Sequence, residues 1–74
     1  MTHDERMRSL RNERGLRQED IADLLGISRI AYTQYELGTR DIPYQVLNDL
    51  ADLYNVSLDF LFGRTTIKEP YPYK

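Results

Sequence analysis

Ser28, Arg29, Ile30, Thr33, Gln34 and Leu37 fall within ten residues of one another and combine two hydroxyls, a guanidinium, an amide and two branched apolar side chains. That mixture suits the edges of base pairs. Arginine offers paired donors to guanine, glutamine matches the donor and acceptor of adenine, and an apolar side chain meets the thymine methyl. Arg29 is the first candidate for a base or phosphate contact, Gln34 for a base edge and Ile30 for a thymine methyl. The plainer alternatives are that Arg29 and Gln34 are solvated surface and that Ile30 is buried against a later helix.

Gln18 opens a preceding apolar-periodic segment, where its amide and the free backbone N–H groups of a helix start could receive a phosphate. Glu19 and Asp20 suit the positive end of the helix dipole but would repel phosphate unless they point sideways. Catalysis has little to work with. The chain has one histidine, His3, close to its start, no cysteine and no glycine-rich phosphate loop, and although its scattered Asp and Glu could be arranged into a pair, nothing in their spacing singles one out. No cofactor or metal is expected, and His3 is read as inert.

The elements that must hold these groups are legible in the periodicity. Apolar residues recur at three- and four-residue spacing and are cut by Gly15, Gly26, Gly38 and Gly63, as C-terminal capping glycines cut helices. Five short helices are predicted. The first spans about Asp4 to Arg14 with Met7 and Leu10 inward, and the second about Gln18 to Leu25 with Ile21, Leu24 and Leu25 inward. The third runs from Ser28, a favourable N-cap, to Leu37. A fourth starts at Pro43 and continues through Val46, Leu47, Leu50, Ala51 and Tyr54 to end at Asn55, and Ser57 caps a last piece whose Leu58, Leu61 and Phe62 close the core. No alternating strand pattern appears, so the fold class is all-α.

Two short helices that cross steeply need a small residue at their closest approach, a glycine in the turn and apolar pins on the inner faces. Ala22, Gly26, and Ile21, Leu25, Ile27, Tyr32 and Tyr35 meet these needs in order, which makes residues 18–37 a helix-turn-helix. A plain helical hairpin in a bundle would satisfy some of them.

The net charge of −2 argues against nucleic acid, since affinity for the phosphate backbone comes from Lys and Arg, but its distribution matters more. Arg6, Arg8, Arg11, Arg14 and Arg17 face only Asp4, Glu5 and Glu13 within residues 1–18, whereas residues 41–63 carry Asp41, Asp49, Asp52 and Asp59 without a base. The charged opening residues contain no apolar stretch like that of a secretory signal, and no run is long enough for a membrane helix. A cytoplasmic protein with no membrane association is expected. From Arg64 the text becomes RTTIKEPYPYK, in which Pro70 and Pro72 impose extended backbone. Residues 1–64 are read as the domain and 65–74 as an extended tail, either a frayed terminus or an aromatic arm in which Tyr71 and Tyr73 pack on a second subunit.

Three phrases carry a family resemblance: LRNERGLRQEDIADLLGIS, then SRIAYTQYELGTRDIP, then LADLYNVSLDFLFGRT. In that order and spacing the chain, over about residues 5–64, resembles the Cro and phage-repressor type of helix-turn-helix protein, the XRE family. The resemblance implies a lambda-repressor-like domain of five helices, a homodimer whose third helices enter the major groove of an operator, and repression of transcription. By position it implies DNA contacts from Gln18, Ser28, Arg29, Ile30, Thr33 and Gln34, with Arg40 near phosphate in the following loop. It also implies an ion pair, Arg11 with Glu36, between the first and third helices.

Two residues depart from the family pattern. Arg17 stands where a Ser or Thr usually caps the second helix, forfeiting a cap worth about 0.5–2 kcal/mol but adding a cation beside the expected phosphate site. Leu37 stands where many members have Asn. The expectation is a DNA-binding regulator of a near-palindromic operator, controlled by its own concentration or by a protein partner. The rival is a protein-binding module or antitoxin-like partner on the same fold, to which an acidic fourth helix, a tyrosine-rich composition and the tail would lend themselves.

Overall fold

The computed structural model describes residues 2–70, arranged as α1 (His3–Glu13), α2 (Gln18–Leu25), α3 (Arg29–Leu37), α4 (Tyr44–Tyr54) and α5 (Leu58–Leu61). Among the described residues there is no strand, in keeping with the all-α reading. No helix there is long and apolar enough to cross a membrane.

Local chemistry sets most of the boundaries. Thr2 and Glu5 form a reciprocal capping box at the start of α1, an N-terminal signal of the S/T-x-x-E type that the periodicity alone passed over. Ser28 Oγ accepts from the Ala31 N–H at 3.0 Å, and Ser57 Oγ accepts from the Phe60 N–H at 3.0 Å, so both predicted caps satisfy donors that their helices leave open. Pro43 is the N-cap of α4, one position outside the helix it was expected to open. α2 ends at Gly26 and α3 at Gly38, with φ of 69° and 75°, a left-handed backbone that other residues adopt only with strain. At Gly38 a Cβ would also lie 3.1 Å from Asp4 Oδ2, so the end of α3 is packed against the first turn of α1.

The core gathers Met7 and Leu10 from α1, Ile21 and Ala22 from α2, Tyr32 and Tyr35 from α3, Leu47, Leu50 and Tyr54 from α4, and Phe60 and Leu61 from α5. Two core assignments are corrected. Leu24 is 61 % exposed: at 100° per residue, Ile21, Ala22 and Leu25 share one stripe of α2 and Leu24 falls off its edge. Phe62, expected to close the core, is 37 % exposed, and Phe60 takes that place at 5 %. Phe60 is sealed from α1 by Arg6, whose guanidinium carbon sits 3.9 Å from the ring centroid. Phe62 instead pairs with the His3 ring in a T-shaped arrangement, with centroids 6.2 Å apart.

Residues 65–70 form no helix and return across the joint between α4 and α5. The Ser57 N–H donates to the Lys68 carbonyl at 2.9 Å, Lys68 Nζ lies 3.4 Å from Glu13, and Pro70 lines a cleft with Ala51, Val56 and Leu58. Tyr71 and Tyr73, the expected aromatic arm, lie outside the described residues.

Candidate nucleic-acid interface

The connection between α2 and α3 is short and self-contained. The Ile27 N–H returns to the Ala22 carbonyl at 3.0 Å across Gly26, and Ser28 then starts α3. Ile21 and Ala22 on one helix and Ala31, Tyr32 and Tyr35 on the other are buried, with Leu25 and Ile27 partly so, which fixes how α3 is presented.

What α3 leaves outward is open. Ser28, Arg29, Ile30 and Leu37 are exposed and Thr33 and Gln34 half-buried. Ile30 is 72 % exposed, so it is not buried against α4. Arg17 is exposed at the head of α2, and Arg40 is exposed in the loop after α3, outside the contacts described next.

Two of the candidate residues, Arg17 and Arg29, are bridged by one acidic side chain. Glu19 Oε1 lies 2.8 Å from Arg17 Nη1 and its Oε2 lies 3.7 Å from Arg29 Nη1, while Asp20 is 3.5 Å from Arg17 Nη2. The acids that threatened to repel a phosphate are thus each paired with arginine. Exposed pairs of this kind hold their partners weakly, so a phosphate can take the arginines over at small cost. The Arg17 side chain accepts nothing from the backbone of α2, yet Asp20 Oδ2 accepts from the Arg17 N–H at 2.8 Å, which restores half of a capping box. That backbone donor, followed by the Arg17 side chain, holds the Asp20 carboxyl below its usual value. The bridging role of Glu19 went unread in the sequence, because it depends on how α3 crosses α2.

Beneath this surface lies a charged centre. Arg11 Nε donates to Glu36 Oε2 at 2.6 Å and Arg11 Nη2 to Oε1 at 3.1 Å, with Glu36 2 % exposed. Arg11 Nη1 also donates to the Leu16 carbonyl at 2.8 Å. Gln18 Nε2 donates to Glu36 Oε1 at 3.3 Å, and the Thr33 hydroxyl donates to Gln18 Oε1 at 2.9 Å. Burial alone would raise the Glu36 carboxyl, but Arg11, Tyr32 and Gln18 outweigh it and hold it below its ordinary value. The same carboxylate raises Arg11 further. Burial and then Glu36 push the Tyr32 phenol far up, and burial pushes Tyr54 up to about 12. All of these groups keep their neutral-pH charge states.

The arginines near the start of the chain are consequently less available than their number suggested. Arg6 covers Phe60, Arg11 holds Glu36, and Arg14 donates to the Tyr54 carbonyl at 2.8 Å. The basic excess of residues 1–18 is in good part core chemistry.

Comparison with known proteins converges on the same architecture. The helix-turn-helix family profile matches residues 7–61. The chain is 44 % identical over 57 residues, 77 % of its length, to the uncharacterized HTH-type transcriptional regulator YqaE of Bacillus subtilis (strain 168), of which it covers 49 %. It is 38 % identical over 61 residues, 82 % of its length, to the SPbeta prophage-derived HTH-type regulator YonR of the same organism, covering 56 % of that protein. It is also 36 % identical over 53 residues, 72 % of its length, to the cryptic phage CTXphi transcriptional repressor RstR of Vibrio cholerae, covering 48 % of it. The chain thus spans about half the length of the curated relatives it matches. No solved structure matches it significantly. With its fold, its turn and these relatives in agreement, the chain belongs to the XRE-type helix-turn-helix family.

Proposed function

We propose that this chain is a cytoplasmic, sequence-specific DNA-binding regulator that acts as a homodimer on a near-palindromic operator and represses transcription. The observation that carries the reading is α3 itself, whose inner face is locked into the core while Arg29 and Ile30 stand exposed and Gln34 is half-open on the other side. Arg29 and Gln34 read base edges, Ile30 meets a thymine methyl, and Ser28 and Thr33 add hydroxyl contacts. Gln18, Arg17 and Arg40 hold the phosphate backbone. Residues 1–64 act as the DNA-binding domain and 65–74 as its tail.

Few cations face DNA on one copy, since Arg17 and Arg29 share Glu19 and three other arginines serve the core. Two copies set about one helical turn apart would double the phosphate contacts and present two third helices to successive major grooves. Repression follows from occupying a promoter, and the name of the related phage repressor supports that sign.

Selection of bound duplexes from a random pool tests the reading. The wild type is expected to enrich a palindromic motif that the double variant Arg29→Ala, Gln34→Ala loses. Affinity should fall steeply as salt rises, because phosphate contacts release counterions. A folded wild type that enriches nothing at low salt sinks it. The second reading, a protein-binding module, is favoured by the exposed Tyr44 and Phe62, which line one cleft with His3 and Ile42. A partner held there would bind with little dependence on salt.

A further inference from the structure

Gln18 and Thr33 are bonded to each other and, through Gln18, to a carboxylate in the core, so the direction of each hydrogen bond can be followed from inside outward. Glu36 is ionised and can only accept. The Gln18 atom 3.3 Å from Glu36 Oε1 must therefore be the nitrogen, since the opposite amide orientation would set oxygen against oxygen. That turns the Gln18 oxygen toward Thr33, at 2.9 Å. An amide oxygen only accepts, so the Thr33 hydroxyl must supply its single proton to it. Outside this network Gln18 retains one N–H and Thr33 retains only lone pairs.

Every base pair sets one exocyclic amine and one carbonyl oxygen in the major groove, and a hydroxyl free to rotate can meet either. A hydroxyl whose proton is committed can meet only the amine. We infer that Glu36 is a positioning residue for DNA recognition: acting through the Gln18 amide, it makes Thr33 an acceptor for the exocyclic amine of adenine or cytosine and leaves Gln18 a donor for a phosphate oxygen. The inference rests on the DNA-binding reading above. It assigns to a buried acid, which no base can touch, a share in sequence selection, and to Gln18 a polarity as well as a position. The Arg11–Glu36 pair accordingly has a role beyond joining α1 to α3, because it keeps the carboxylate ionised and its Oε1 aimed at Gln18.

The test uses the motif selected by the wild type and three variants. Thr33→Val identifies the base pair that Thr33 meets, as the column whose preference is lost. In that pair the amine-bearing base is then replaced by an analogue without the amine, purine for adenine or 2-pyrimidinone for cytosine. Wild-type affinity is expected to fall about tenfold, the effect of one ordinary hydrogen bond, and Thr33→Val to lose nothing further. Glu36→Gln, whose amide can present either end to Gln18, and Gln18→Met, which keeps the Arg11–Glu36 pair and hence the fold, free the Thr33 hydroxyl to donate as well, so both should tolerate reversal of that base pair, which sets a carbonyl oxygen where the amine stood, far better than the wild type does. In the protein without DNA, a slowly exchanging Thr33 hydroxyl proton is expected by NMR and should be lost in Gln18→Met. The inference is overturned if no column depends on Thr33, if the wild type ignores the missing amine, if Gln18→Met discriminates as the wild type does, or if the hydroxyl proton exchanges freely. A wild type that selects no motif at all overturns the DNA-binding reading itself and takes the inference with it.

Discussion

On one side of α3, Ala31, Tyr32, Tyr35 and Glu36 are buried among side chains from the other helices; on the other, Ile30 and Leu37 stand in solvent within the same nine-residue helix, as does Arg29 at its first position. The inner face meets partners that the fold itself supplies, including the guanidinium of Arg11 and the amide of Gln18. Among the described residues the exposed side of the helix meets Glu19, through a long exposed pair with Arg29. The difference teaches where each kind of substitution should register. Inner-face changes alter stability, because a buried polar group left without its partner is costly, and outer-face changes alter recognition. Thr33 stands between the two faces and connects them.

The largest expected effect breaks the inner face. Glu36→Ala strands the Arg11 charge in a mostly buried site and should destabilise the domain by about 3–5 kcal/mol, read by urea or thermal melting. A melt equal to the parent's would show that the pair does not hold α3. Acid titration approaches the same group more gently. In the unfolded chain Glu36 binds its proton near pH ~4.3, whereas in the folded chain it does so only at lower pH. Between those values the unfolded state holds more protons, so stability is present above that range and lost as pH falls through it. The acid limb of the stability profile should be shallower in Glu36→Gln.

A smaller effect falls at the junction of the faces. Ser28→Ala removes the acceptor for the Ala31 N–H and should cost about 1 kcal/mol in the same melt. The smallest belongs to the outer face: the double variant Arg29→Ala, Gln34→Ala should melt within about 0.5 kcal/mol of the parent while losing its DNA motif. A large loss of stability there would erase the distinction between the two faces.

Much of the architecture was legible because its signals are local. Ser28 and Ser57 announce helix starts, Gly26, Gly38 and Asn55 announce ends, and the small Ala22 marks the crossing of α2 and α3. The outward Ile30 and Leu37 on α3 follow from the same periodicity, since a helix that buries Tyr32, Tyr35 and Glu36 must expose them, whereas Arg29 lies near the stripe of Glu36 and is exposed as the first residue of the helix. Leu24 was misread because hydrophobicity alone ranks it equal to Leu25, and only the position of α4 and α3 decides which of two neighbours 100° apart is covered. Phe60 and Phe62 pose the same choice, and it is Arg6, more than fifty residues earlier, that covers Phe60.

The sequence by itself determined the helices, their order, the turn between α2 and α3 and the family, since each depends on residue types a few positions apart. The tertiary structure decided what most of the other early charges are for. The family resemblance implied the pairing of Arg11 with Glu36 across 25 residues, but Arg14 meets the Tyr54 carbonyl across 40 and Arg6 covers Phe60, so arginines that counted as basic surface turned out to be structural. Likewise, nothing local tells which end of the Gln18 amide faces inward. That orientation is dictated by an ionised carboxylate brought from another helix, because a group that can only accept forces the direction of every hydrogen bond that follows it.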